Sequence, residues 1–239
     1  MTCAALFLLL GAVTAATAPA TRPVADPRYR VGELLFADDF AGDLSDWSAE
    51  LAEGGTVAAR DGKLVIDVPA GCTVWFKPRI EGPVMIEYEA TVVAKDGKND
   101  RVSDLNCFWM ASDARSPDDL FATQRSGKFE DYHQLRAYYV GLGGNTNTTT
   151  RFRRYIGDAE LRPLLPEHDL REPPDLITAN QPQTIRLVAC GKLIQYWRDG
   201  RKLFEMIDDE PYDAGHFGFR TVTNHMEIRR FRVYRLKGE

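Results

Sequence analysis

Between Asp131 and Tyr155 the chain reads DYHQLRAYYVGLGGNTNTTTRFRRY. Arg136, Arg151, Arg153 and Arg154 share this stretch with His133, Tyr138, Asn145 and Asn147. An arginine offers a planar fork of donors that grips a carboxylate or sulfate through two parallel hydrogen bonds. Tyrosine gives a flat face to a sugar ring, and Asn and Thr bond hydroxyls. A His or Tyr that takes a proton beside an arginine-neutralised carboxylate would satisfy β-elimination from a uronate, in which the guanidinium acidifies the α proton and stabilises the enolate-like intermediate. His133 and Tyr138 are the candidate bases. A lone histidine is more often a structural hydrogen-bonder.

These side chains need strands to aim them. Beyond the proline- and arginine-rich residues 19–32, read as a linker, the chain is a succession of short β-patterned runs separated by turn signals. This argues for an all-β sandwich of two antiparallel sheets filling residues 33–239. Asp61-Gly62, Cys190-Gly191 and Asp199-Gly200 mark hairpins. A helix near SPDDLFA capped by Ser116 and a long surface loop over residues 162–182 are expected between strands.

Alternation along each strand then separates core from outer face. In DLNCFWM, Leu105, Cys107 and Trp109 suit the core and Asn106, Phe108 and Met110 the other face. In HQLRAYYV, Leu135, Ala137 and Tyr139 are placed inward, with Arg136 and Tyr138 outward. In TTTRFRRY, Phe152 points in while Arg151, Arg153 and Tyr155 point out; Arg154 falls on the inward parity, an awkward place for a cation. In HFGFRTV, Phe217 and Phe219 pack and Arg220 faces out. One face thus gathers Asn106, Arg136, Tyr138, Arg151, Arg153 and Arg220, with Asn145, Asn147 and His225 as further sugar-bonding candidates. The competing account is that these arginines only solubilise a sheet, or pair with Glu87, Glu89 or Glu227 in ion ladders. The tract GLGGNTNTTT would then be a wide hairpin loop whose glycines supply positive φ. His168 could close over a ligand, and His216 reads as structural.

The 239 residues carry a formal net charge of −5. This argues against nucleic acid as a partner, so any cationic patch is local. The N-terminus, apolar from Ala4 to Val13 and small at Ala15–Ala18, reads as a signal peptide over residues 1–18, although it lacks a basic segment before the apolar run. The expectation is a secreted or periplasmic protein without membrane insertion once the leader is cleaved; the run is shorter than the roughly 20 residues of a spanning helix. Cys72, Cys107 and Cys190 form no C-x-x-C pair; Cys107 and Cys190 sit in apolar strand-like contexts and read as small buried hydrophobes, the alternative being one disulfide and a spare thiol.

The opening LLFADDF, the DGKLVIDV hairpin, IRLVACGKLIQYWRDGRKLFEMID and GHFGFRTVTNHMEIRRFRVYRL together resemble the concanavalin A-like (laminin-G-like) jelly roll. DLNCFWMASD and GKFEDYHQLRAYYVGLGGNTNTTTRFRRY more narrowly resemble a family of secreted bacterial proteins of that fold, of unsettled function and distantly similar to YesU-type proteins of polysaccharide utilisation. The resemblance implies a poly- or oligosaccharide partner. It lends no catalytic set: the E-x-D-x-x-E strand of the glucanases of this fold is absent, and Glu87 and Glu89 are the nearest acidic pair. No cofactor is required, while a structural calcium of the kind many relatives hold could use Asp38, Asp39 and Asp208 or Asp209. The sequence reading is an acidic-glycan lyase; the alternatives are a noncatalytic lectin-like module and an envelope protein whose arginines pair internally.

Overall fold

The computed structural model describes residues 26–238, so the residues read as leader, 1–18, lie outside the described part. In chain order the strands are β1 (Tyr29–Asp38), β2 (Trp47–Leu51), β3 (Thr56–Arg60), β4 (Lys63–Val68), β5 (Cys72–Glu81), β6 (Val84–Val92), β7 (Asn106–Asp113), β8 (Leu135–Gly143), β9 (Thr149–Ile156), β10 (Asp169–Leu170), β11 (Gln183–Cys190), β12 (Leu193–Arg198), β13 (Arg201–Ile207), β14 (Ala214–Thr221) and β15 (Asn224–Gly238). One antiparallel sheet runs β13-β12-β11-β6-β15-β4-β3, with β1 also on β15; the other runs β10-β9-β8-β7-β14-β5-β2. This is the expected two-sheet jelly-roll sandwich. β1 begins at Tyr29, inside the stretch read as linker. Asp61-Gly62 and Asp199-Gly200 form their turns with positive φ at both residues, as two-residue hairpins require; in the third, Cys190 pairs with Leu193, so Gly191 and Lys192 make the turn.

The inner faces meet in an apolar core in which Trp47 packs on Phe76, Phe219 and Phe231. Each such side chain contributes about 1.5–3 kcal/mol by leaving water. Alternation places Cys107 and Trp109, Phe152, and Phe217 and Phe219 inward as expected. It fails at Met110, which sits in a bulge of β7 and joins the inter-sheet core, and on β8, where Tyr138, Val140 and Leu142 face that core and Tyr139 faces out. Both faces of β8 are covered, so its apolar residues do not alternate. Tyr138 is fully buried and donates to Asp208 Oδ2 at 2.7 Å. Arg154 shares that inward side, bonds Asp208 at 2.7 Å and stacks 4.5 Å over Tyr212, which explains its parity.

A second apolar cluster lies on the outer face of the β7-containing sheet. Trp75, Phe108, Ala137, Tyr139 and Tyr155 are capped there by Leu120 and Tyr132. The capping residues, 114–133, hold two short 3-10 turns; the first is Leu120–Ala122, capped by Asp119 and not Ser116. Arg125 fixes this cap. It pairs with Asp113 and Glu50, each at 3.0 Å, and donates to the Leu120 carbonyl at 2.9 Å. Glu50 also accepts from Trp75 Nε1 and Tyr132 Oη.

The segment over 162–182 is less superficial than expected. It contributes β10 to the sheet edge and buries His168 against Phe152 and Phe204, so His168 is a core residue and not a closing one. His216 is buried beside Phe121. The three described cysteines are unpaired. Among the described residues no helix is long and apolar enough to cross a membrane.

Candidate functional site

Where the cap ends, the outer face opens into a cavity of about 390 Å³. Its floor comes from four adjacent strands: Arg151 and Arg153 from β9, Tyr139 and Gly141 from β8, Asn106 from β7, and Arg220 from β14. Phe129, Arg162, Asp104 and Asn145 contribute the walls. Four guanidinium groups face one carboxylate, on a chain whose formal charge is −5.

The arginines differ in what neutralises them. Arg151 is paired with Asp169, Nε to Oδ1 at 2.9 Å. Arg153, Arg162 and Arg220 have no carboxylate within ion-pair distance among the described residues. Arg220 is the most confined, 1% exposed. Its guanidinium lies 4.8 Å over the Tyr132 ring and 5.6 Å over Phe129, and Nη1 donates to the Gly127 carbonyl and to Thr73 Oγ1. Among the described residues Nη2 has no acceptor, and Asn106 Oδ1, also buried, has no donor. A buried cation without a counter-charge is costly. Both residues line the cavity, and the leftover Nη2 is turned toward Gly71 beneath residues 126–128, 3.0 Å from where a Cβ on that glycine would sit. Burial, together with the neighbouring Arg162 and Arg151, pulls the Arg153 guanidinium below its ordinary value, so this group too is short of negative charge.

His133 stands behind the cavity wall. Its Nε2 is 3.0 Å from Arg162 Nη1, and its ring meets Phe129 edge-on. Burial and the Arg162 charge push its pKa down, leaving it neutral near pH 7 with a lone pair turned to Arg162. Tyr139 is the phenol that reaches the cavity, in the place assigned to Tyr138, and burial raises its pKa so that it stays protonated.

The turn beside the cavity departs from expectation. Gly143 has φ 69°, but Asn145, Thr146 and Asn147 also take positive φ, at 52°, 58° and 58°. Such values are uncommon outside glycine and strained for a β-branched residue. Two anchors hold the turn: Asn147 brackets the backbone N–H and carbonyl of Ile177, and Arg101 donates to Thr146 Oγ1 at 3.1 Å. Asn147 is therefore committed to structure, while Asn145 lines the cavity.

The remaining candidates lie elsewhere. Arg136 is exposed at the sandwich rim near Arg154, Glu210 and Tyr212. His225 bonds Asp100 Oδ1 at 3.0 Å on the opposite sheet. Of the ten residues named from sequence, the cavity unites Asn106, Asn145, Arg151, Arg153 and Arg220. The contributions of Asp104, Phe129, Tyr139 and Arg162 were missed; for Arg162 the available signal was an arginine at the mouth of a loop following the arginine strand.

Ion ladders do exist, on the other sheet: Arg186 with Glu87, Arg229 and Arg230 with Glu89, and Lys63 with Glu227. Glu87 and Glu89 are thus held by arginines away from the cavity, and its single carboxylate, Asp104, does not supply the carboxyl pair of a retaining hydrolase. The proposed calcium ligands do not fit one ion. Asp38 accepts from Trp47 Nε1 and Asp39 pairs with Arg232 at β1, whereas Asp208 and Asp209 follow β13 at the far edge of that sheet and are held by Arg154 and Lys192. No cluster of three or more His, Cys, Asp or Glu that could hold a metal occurs among the described residues.

Solved structures share the sandwich at low identity. A protein of unknown function with a galectin-like fold from Bacillus subtilis is 19% identical, with 88% of this chain and 100% of that one aligned at a TM-score of 0.69. β-Agarase B from Zobellia galactanivorans is 10% identical over 91% and 97%, at 0.55. The carbohydrate binding module CBM66 from Bacillus subtilis is 12% identical over 81% and 96%, at 0.53. At such identities the likeness is one of fold. No curated protein matches significantly in sequence. A family profile does match, over residues 66–231, and with most of the sandwich included the chain belongs to the family described as Domain of unknown function (DUF6250).

Proposed function

We propose that this chain binds an acidic, uronate-containing glycan, with the sugar carboxylate held in the arginine cavity. The observation that carries the reading is Arg220: buried at the cavity, stacked on two aromatic rings, with no counter-charge among the described residues. A ligand carboxylate would supply the missing charge, and the charge-assisted bonds it forms there are among the stronger hydrogen bonds available. Asn106 Oδ1 would accept from a sugar hydroxyl, and Phe129 and Tyr139 offer apolar faces to a ring. The sandwiches of a carbohydrate binding module and an agarase are consistent with a glycan ligand. A secreted or periplasmic location and a place in polysaccharide utilisation fit this reading and rest on the leader-like N-terminus and the family resemblance.

Elimination is the second reading, favoured by the His133 imidazole 3.0 Å behind the cavity-lining Arg162 and by the Tyr139 phenol in the lining. In it Arg153, Arg162 and Arg220 neutralise the carboxylate. His133 takes the α proton once substrate draws Arg162 away from Nε2, and Tyr139 donates toward the leaving oxygen. Titration calorimetry with galacturonate, mannuronate and neutral glycan oligomers tests the binding. Ultraviolet absorbance of the unsaturated product, followed on the same samples, tests the cleavage. Uronate binding without absorbance supports the module, absorbance supports the lyase, and equal affinity for neutral oligomers sinks both.

A further inference from the structure

We infer that the cavity accepts the terminal residue of its glycan and not an internal one. This rests on the reading of the cavity as a uronate site. An internal sugar continues through two glycosidic bonds, so its site needs two exits; a terminal sugar needs one.

Chain segments close the cavity on three sides. Toward β5 and β2 the strap Ser126–Lys128 crosses the sheet backbone to backbone. A Cβ added at Gly71 would sit 2.2 Å from the Gly127 carbonyl oxygen, and one at Gly127 would sit 2.4 Å from the Ala52 nitrogen. The same carbonyl accepts from Arg220, so strap and anion site are one unit. Along the strands, toward the capped aromatic cluster, the wall is a joint between two loops: Arg162 lies 5.5 Å over the Phe129 ring and 3.0 Å from His133 Nε2. On the side of the β8–β9 hairpin, the left-handed turn lines the cavity through Gly144 and Asn145, next to Arg151, which is tied to Asp169 of the neighbouring strand β10. On the remaining side the lining is Asp104, Asn106 and Val222, and this side is inferred to be the way in. The volume of about 390 Å³ is near the lower end of the 300–1,000 Å³ usual for small-ligand sites, which is room for about one or two sugar rings.

The test compares affinities of the whole chain for three galacturonate probes: a dimer, a hexamer, and a hexamer capped by neutral galactose at both ends; the corresponding mannuronate set is run alongside. The dimer and hexamer are expected to bind within about twofold per mole of chains, and the capped hexamer not at all. A capped hexamer that binds as tightly as the uncapped one, or affinity that climbs with the number of internal uronates, overturns terminal recognition while leaving the uronate site intact. Failure of both uncapped lengths in both series removes the uronate reading and this inference together.

Discussion

Arg125 and Arg220 press on the same tyrosine ring, at 5.9 Å and 4.8 Å from the centroid of Tyr132, yet their surroundings are opposite. Arg125 has Asp113 and Glu50 as partners and a backbone carbonyl for a remaining donor. Arg220 has a carbonyl, a threonine hydroxyl and, among the described residues, no acid. Both are almost wholly withdrawn from water. A fold that needed only to bury a guanidinium could treat both as it treats Arg125. The contrast separates the outer face into a half organised for stability, under the cap, and a half that leaves positive charge unmet.

The sharpest way to break that contrast is to remove Arg125. Arg125→Met takes a buried partner from Asp113 and Glu50 beneath the cap; deleting one partner of a buried pair costs about 3–5 kcal/mol, and because Arg115 still holds Asp113 the lower end is expected. Urea denaturation should show a loss of this size. Asp113 adds a pH signature. Burial works to raise its pKa, but hydrogen bonds from Arg115 and the charges of Arg115 and Arg125 outweigh that and hold it below the ordinary value. A depressed carboxylate pKa contributes stability above its unfolded value, near about 3.9, that is lost as pH falls through the folded value. Stability of the native chain should therefore decline below about pH 4, and Arg125→Met should flatten the decline. A variant as stable as the parent would mean that Arg115 and solvent suffice and the cap does not depend on Arg125.

The matching change at Arg220 should behave differently. Arg220→Met removes a buried cation with no counter-charge, so the desolvation relieved offsets the lost cation–π contacts, and stability should move by less than about 1 kcal/mol. Binding of a galacturonate or mannuronate oligomer should fall by roughly tenfold to a hundredfold, the about 1.5–3 kcal/mol of a hydrogen bond to a charged group. Calorimetric titration and denaturation on the same preparation separate the two effects. A large stability loss with unchanged affinity would place Arg220 with Arg125 and erase the distinction between the two halves.

How much of this was legible from sequence follows the same division. On β14, Phe217 and Phe219 alternate with Gly218 and Arg220, so one face is plainly apolar and parity placed Arg220 correctly. On β8 the cap makes the outer face apolar as well, and Leu135 through Leu142 carry no alternation to read. The error exchanged Tyr138 for Tyr139. The pairing of Trp109 with Tyr138 and Phe108 with Tyr139 corrects it, but that register depends on a bulge around Met110, whose φ of 52° no local pattern announces. Arg125, Phe129 and Arg162 belong to loops placed by contacts with residues distant in sequence, and short-range periodicity says nothing about them.

The smallest expected effect concerns the turn at Asn145–Asn147. If the open half tolerates strain for the sake of its ligand, Thr146 is where it should be measurable, because a β-branched residue at φ 58° is held against its own preference. Thr146→Gly removes that penalty, of about 1–3 kcal/mol. It also forfeits the bond from Arg101 and gives the unfolded chain more freedom, so the net gain should be about 0.5–1 kcal/mol. Thermal unfolding is sensitive enough to read it. Asn145 lines the cavity and Thr146 does not, so a turn that serves binding should lose affinity as glycine loosens it, even while the melting temperature rises. Higher stability with unchanged affinity would instead make the left-handed turn a consequence of how Asn147 is tied to Ile177, and the strain would belong to the scaffold and not to the site.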